Sequence, residues 1–223
     1  MSRSIRSQLL VIAKVPVPGR VKTRLCPPCT PDQAASIAAA ALADTLTVAA
    51  EFPAVRHTLV LAGGSDAEPA GFAAPVGWRV LAQRGGELGE RLAYAFRDTA
   101  LPGVPSLLIG MDTPQLTGAL LAEVATGLAD ADAVLAPALD GGWWALALND
   151  PGHAHVLTAV ATSTSATGEL TAAALRALGL RVAYGPVLRD VDVAVDARAV
   201  ALACPDTRFA TAVRRHLPAL ESV

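Results

Sequence analysis

The sequence predicts an α/β fold, a parallel or mixed sheet with helices on both faces. Three observations carry this: short apolar runs alternate with helical patterns, the connections are short, and unusual polar residues follow the strand ends. Gln8–Ala13 is a short β-rich apolar run closed by Pro16, Pro18 and Gly19, and reads as a buried strand. A helix is expected from about Pro31 to Ala50, with Pro31 at its first position and Thr30 and Gln33 forming a capping box. Strands follow at Thr58–Ala62, stopped by Gly63-Gly64, and at Trp78–Ala82. Glu87–Thr99 is helical, with Leu88, Leu92, Ala95 and Phe96 on one face. The strand Ser106–Gly110 runs into Asp112-Thr113-Pro114, and Thr117 caps a helix ending near Leu128. Ala133–Ala136 is the next strand, then Asp140-Gly141-Gly142 and the apolar run Trp143–Leu148. Helical stretches at His155–Ala161 and Gly168–Leu178 precede strands at Arg181–Tyr184 and Val187–Val191, and two short helices finish the chain.

The 223 residues give room for one large domain, and no linker, repeat or composition break divides them, so a single domain over residues 1–223 is expected. At 52% hydrophobic and 17% charged residues the chain is not intrinsically disordered. Its mean hydropathy is +0.43, yet the longest unbroken apolar run is seven residues, Ile37 to Ala43. A bilayer span needs about 20, so no membrane partner is expected. Arg3 and Arg6 precede an apolar patch of only five residues, Leu9 to Ala13, too short for a signal peptide, and a cytoplasmic location follows.

The net charge of −2 hides an asymmetry. Residues 1–31 hold six basic residues and no acid, which leaves 12 basic against 20 acidic residues in the remainder. Arginine outnumbers lysine 16 to 2, and both lysines, Lys14 and Lys22, fall in this segment. The basic stretch is too local for nucleic acid and suits a compact polyanion. The loop Lys14–Leu25, KVPVPGRVKTRL, follows a strand and precedes a helix, so backbone N–H groups and basic side chains can converge on phosphate. It is not a Walker A loop, because Val21 and Pro16 stand where that pattern needs glycine. A solvated basic turn is the alternative.

Asp112 directly follows a strand, where a carboxylate can hold Mg²⁺ or Mn²⁺ together with substrate phosphates. An ordinary turn aspartate is the alternative, and Asp190-Val191-Asp192 offers a second acid. Asp140 with Gly141 and Gly142 suits a close backbone approach to a ligand hydroxyl or, equally, a tight turn between two strands. Strand alternation places Trp143 and Trp144 on opposite faces, so at most one meets a ligand. Cys26-Pro27-Pro28-Cys29 lacks a second CxxC for zinc, and His153 and His155 read as loop surface residues.

Taken together, Leu9–Leu25, Gly86–Leu92, Gly110–Thr117, Asp140–Gly142 and Asp190–Asp192 resemble the rSAM/selenodomain-associated transferases. These are GT-A-type, nucleotide-diphospho-sugar transferase-like proteins, similar in fold to molybdenum-cofactor and 2-phospho-L-lactate guanylyltransferases. The resemblance implies a three-layer α/β/α Rossmann-like GT-A fold with a mostly parallel mixed sheet. It also implies that Lys14, Gly19, Lys22, Thr23 and Arg24 bind nucleotide phosphate, with Arg91 reaching the same anion. Asp112 and Asp192 would hold Mg²⁺ or Mn²⁺, while Asp140, Gly141, Gly142 and Trp143 would face the sugar or acceptor. Asp112, Lys22 and Asp140 would carry catalysis. The chain departs from the family pattern at Trp143-Trp144, at Thr162-Ser163 and at Val193-Ala194-Val195-Asp196.

The expected activity is metal-dependent glycosyl transfer from a nucleotide-diphospho sugar to a small-molecule acceptor. The alternatives are a nucleotidylyltransferase using a nucleoside triphosphate and releasing pyrophosphate, or a non-catalytic nucleotide-binding protein.

Overall fold

The structure is a computed structural model describing residues 6–63 and 74–217; Arg3 and Gly64 lie outside them. Seven strands form one sheet: β1 (Gln8–Lys14), β2 (His57–Ala62), β3 (Arg79–Ala82), β4 (Ser106–Ile109), β5 (Ala133–Pro137), β6 (Trp143–Leu148) and β7 (Val182–Tyr184). Their order is β3-β2-β1-β4-β6-β5-β7. Every neighbouring pair is parallel except those that β6 makes with β4 and β5. The mixed sheet expected from the sequence is present, and the carboxyl ends of β1, β4 and β5 share one edge.

Helices cover both faces, which is why β1 is a nearly continuous apolar run rather than an alternating one. On one face α1 (Pro31–Glu51) and α3 (Gly118–Thr126) bury Leu42, Leu46, Leu121 and Val124 against Leu9, Val11, Leu107 and Ile109. On the other, α2 (Leu88–Thr99), the 3-10 helix Pro151–Ala159 and α4 (Thr167–Ala177) bury Leu92, Phe96, Leu157 and Leu175 against Leu10, Leu108 and Leu146. A third cluster lies on the outer side of α1, where Ala34, Ile37 and Ala41 meet α5 (Ala194–Ala203) and α6 (Arg208–His216). By length and composition α1 could cross a membrane. Its apolar residues are instead explained by burial on two sides, and its alanines let sheet and α6 approach closely.

The capping box at Thr30 and Gln33 forms as the sequence predicts, with Thr30 Oγ1 accepting from Gln33 N at 3.3 Å and Gln33 Oε1 from Thr30 N at 2.8 Å. Two expectations change. The stretch at His155–Ala161 is a 3-10 helix beginning earlier, at Pro151, because the Asp150 carboxylate caps Gly152 N at 2.8 Å. Val187–Val191 is not a strand: after Pro186 it forms only an isolated bridge, Leu188 with Ala138 just beyond β5, and then reaches the residues after β4.

Candidate active site

The basic loop leaves β1 at Lys14 and turns at Gly19, whose φ of +74° is the left-handed conformation that glycine adopts freely. Val21 and Leu25 anchor it in the core, so the residues between them present their polar ends at the sheet's carboxyl edge. Lys22 is held at φ +47°, uncommon for a residue with a side chain, and Thr23–Leu25 form one turn of 3-10 helix.

Opposite stands the segment after β4. Gly110 N bonds Trp144 O in β6 at 3.1 Å, and the Asp112 carbonyl accepts from Val191 N at 2.9 Å, tying the strand end to β6 and Asp112 to the chain before α5. Gln115 strengthens the tie by donating Nε2 to Arg189 O at 2.6 Å, and Arg189 is itself paired with Asp196 at 2.9 Å. Asp112 and Asp192, far apart in sequence, are thereby brought beside the loop.

There the charges pair across. Lys22 Nζ lies 2.6 Å from Asp112 Oδ1 and also donates to Val191 O, with only 10% of its side chain exposed. Arg24 pairs with Asp192 nearer the surface. Asp190 is half-buried, and its carboxyl is pushed up to about 6, by burial first, then by the charge of Asp140, with Asp112 adding and Lys22 opposing. Among the described residues, Asp112, Asp140, Asp190 and Asp192 therefore share this edge. The sequence offers a second acid in Asp190-Val191-Asp192 and the family resemblance picks Asp192; the structure brings Asp190 to the edge as well.

The β5–β6 connection brings Asp140 to this edge. It is the tight turn between adjacent strands that the sequence left open: Ala138 N bonds Gly142 O at 3.0 Å, and Asp140 Oδ1 accepts from Gly142 N at 2.7 Å. Gly141 has φ +88°, and a Cβ there would fall inside van der Waals contact with the Ser165 carbonyl oxygen. Gly168 N, at the start of α4, donates to Gly141 O at 2.8 Å. The turn is thus fixed by backbone against the hydroxyl-rich stretch Thr162–Ser165, which the sequence marked only as a departure from the family pattern.

Not every expected residue gathers here. Trp144 is buried in the first core, and Trp143 packs in the second with Nε1 donated to Thr171 Oγ1 at 3.2 Å, on opposite faces as alternation requires. Arg91, in the first turn of α2, donates to Gly86 O at 2.5 Å. Lys14 is exposed, with its backbone N–H on Met111 Sδ at 3.3 Å. Cys26, Cys29 and Cys204 are free thiols, and burial pushes that of Cys29 up, away from reactive thiolate character. Among the described residues no three His, Cys, Asp or Glu side chains stand in a metal-holding arrangement.

The strand order and the antiparallel β6 define the class, a Rossmann-like α/β fold matching that of nucleotide-diphospho-sugar transferases. The chain belongs to the family described as "Uncharacterized protein conserved in bacteria (DUF2064)", whose model matches residues 45–164. It is similar over 95% of both chains, at 26% identity and a TM-score of 0.84, to a Desulfovibrio desulfuricans G20 protein provisionally named a nucleotide-diphospho-sugar transferase. It shares its fold with Rv0371c of Mycobacterium tuberculosis H37Rv in complex with manganese, at 21% identity and TM-score 0.53 over 87% of this chain and 98% of that one. The 2-C-methyl-D-erythritol 4-phosphate cytidylyltransferase of Thermus thermophilus has the same fold, at 16% identity and TM-score 0.52 over 93% and 99%. No curated protein matches the chain.

Proposed function

We propose that this protein is a transferase that uses a nucleotide-diphospho-sugar donor and a small-molecule acceptor. The observation that carries the reading is the facing of Lys22 and Arg24 with Asp112, Asp140, Asp190 and Asp192 at one sheet edge. In open α/β sheets that edge is where ligands bind. Within the family, the strings Leu9–Leu25 and Gly110–Thr117 support membership of the rSAM/selenodomain-associated transferases.

Lys22, Arg24 and the backbone around Gly19 and Thr23 bind the diphosphate; Lys14, exposed at the end of β1, and Arg91, which donates to Gly86 O, lie outside this cluster and would join only if the anion drew them in. Asp140, held by the Gly141–Gly142 turn, accepts a hydroxyl hydrogen bond from sugar or acceptor. Asp112 and Asp192 fit Mg²⁺ or Mn²⁺ in donor chemistry: both offer hard carboxylate oxygens, and each already holds a protein cation as a stand-in. When bound, such an ion supplies positive charge for the negative charge that develops on the leaving nucleotide. Lys22 and Arg24 add to that stabilisation from the loop side.

Nucleotidylyl transfer is the second reading, favoured by the fold shared with a cytidylyltransferase. There a substrate phosphate attacks the α-phosphorus of a nucleoside triphosphate. A thermal-shift panel of UDP- and GDP-sugars, GTP and CTP, with and without Mn²⁺, separates the readings. The first expects nucleotide sugars with Mn²⁺ to raise the melting temperature; the absence of any shift removes it. Pyrophosphate release from GTP or CTP transfers the assignment to the second.

A further inference from the structure

Lys22 is the most deeply placed cation of the edge, and its position is costly. Its side chain is 10% exposed, its backbone is left-handed, and its ammonium lies between the Asp112 carboxylate and the Val191 carbonyl. Two oxygen ligands on a compact charge are what a divalent cation would take from the same groups. The charges of the described residues point the same way: of the acids Asp112, Asp140, Asp190 and Asp192, only Asp112 and Asp192 have an ion-pair partner among the described residues, Lys22 and Arg24. A diphosphate that drew Lys22 and Arg24 onto itself would take those partners from Asp112 and Asp192.

We propose that Lys22 is a built-in counter-ion that holds the divalent cation's place on Asp112, so that cation entry and the transfer of Lys22 to the donor's phosphates form a single exchange. Polyanion and cation then bind with positive cooperativity, each releasing the group the other needs. Arg24 and Asp192 make the same exchange nearer the surface. This inference rests on the reading of loop 14–25 as the phosphate site.

One substitution separates the exchange from a purely structural ion pair, because it moves two affinities in opposite directions. Lys22→Met is expected to bind Mn²⁺, followed by electron paramagnetic resonance without any nucleotide, at least fivefold more tightly than the parent protein. The same variant is expected to bind inorganic pyrophosphate, measured calorimetrically in EDTA, at least fivefold more weakly. Lys22→Asn, whose side chain tolerates the left-handed backbone, serves as the second variant and is expected to behave alike. Asp112→Asn should remove Mn²⁺ binding from parent and variant. Unchanged or weaker Mn²⁺ binding in both Lys22 variants overturns the exchange, as does failure of every form to bind Mn²⁺. A nucleotide-dependent rise in melting temperature alongside such a failure would leave the transferase reading standing.

Discussion

The two edges of the sheet use polar residues in opposite ways. At the amino edge the charge is locked into backbone and neutral partners. Arg56 donates to Gln8 Oε1 at 2.8 Å and to the Thr99 carbonyl at the end of α2, while Gln8 Nε2 reaches Ser106 Oγ at 2.7 Å. Gln8, Ser106 and Thr99 are fully buried. At the carboxyl edge side-chain charges are partnered with each other, partly exposed and in acidic excess. What is rigid there is backbone: the Asp140 turn docked on α4, and Asp112 tied to the chain before α5. The lesson is that a structural polar cluster binds groups that cannot leave, whereas a site pairs groups that an incoming ligand can separate.

Three substitutions test this contrast. Gly141→Ala should have the largest effect, since it needs both a left-handed alanine and a retreat of Ser165. A loss of about 3 kcal/mol, read from denaturant midpoints, is expected. A loss below about 1 kcal/mol would show that the turn is not held by this approach.

Arg56→Met comes next. It strands the buried Gln8 and Thr99 oxygens, so a loss of about 2 kcal/mol is expected, about 5 °C in melting temperature. The shift induced by a nucleotide ligand should be unchanged. A reduced ligand shift would mean that the edges are coupled through α2.

Asp190→Asn should have the smallest effect and the opposite sign. A carboxyl whose pKa is raised to about 6 in the folded protein holds its proton more tightly than in the unfolded chain. The parent therefore loses stability as pH rises from about 4 through 6, and the non-titrating variant does not. In EDTA, Asp190→Asn should gain about 1 kcal/mol at pH 7, a discounted figure because the group is half-exposed, and nothing at pH 4. A melting-temperature series across that range with no pH-dependent difference would remove the acidic excess from the account.

Much of the fold was legible because it is written in local signals. The Thr30–Gln33 capping box, the buried run of β1 and the alternation of Trp143 and Trp144 each depend on residues a few positions apart. The segment Val187–Val191 misled because its apolar composition suits a strand, while strandhood depends on a partner that only one residue finds. For Asp140-Gly141-Gly142 the spacing allowed a turn or a ligand site, and in three dimensions the turn is what carries the acid to the edge.

The sequence by itself determined the class of fold, the concentration of both lysines in one loop and the acids after β4 and β5, because composition and periodicity act at short range. Only the tertiary structure decided which charges meet. Lys22 finds Asp112, Arg24 finds Asp192 168 residues away, and Asp190 joins Asp140, pairings set by sheet order and by the Asp112–Val191 bond. Electrostatic energy depends on separation in space and on burial, and neither is a property of position along the chain.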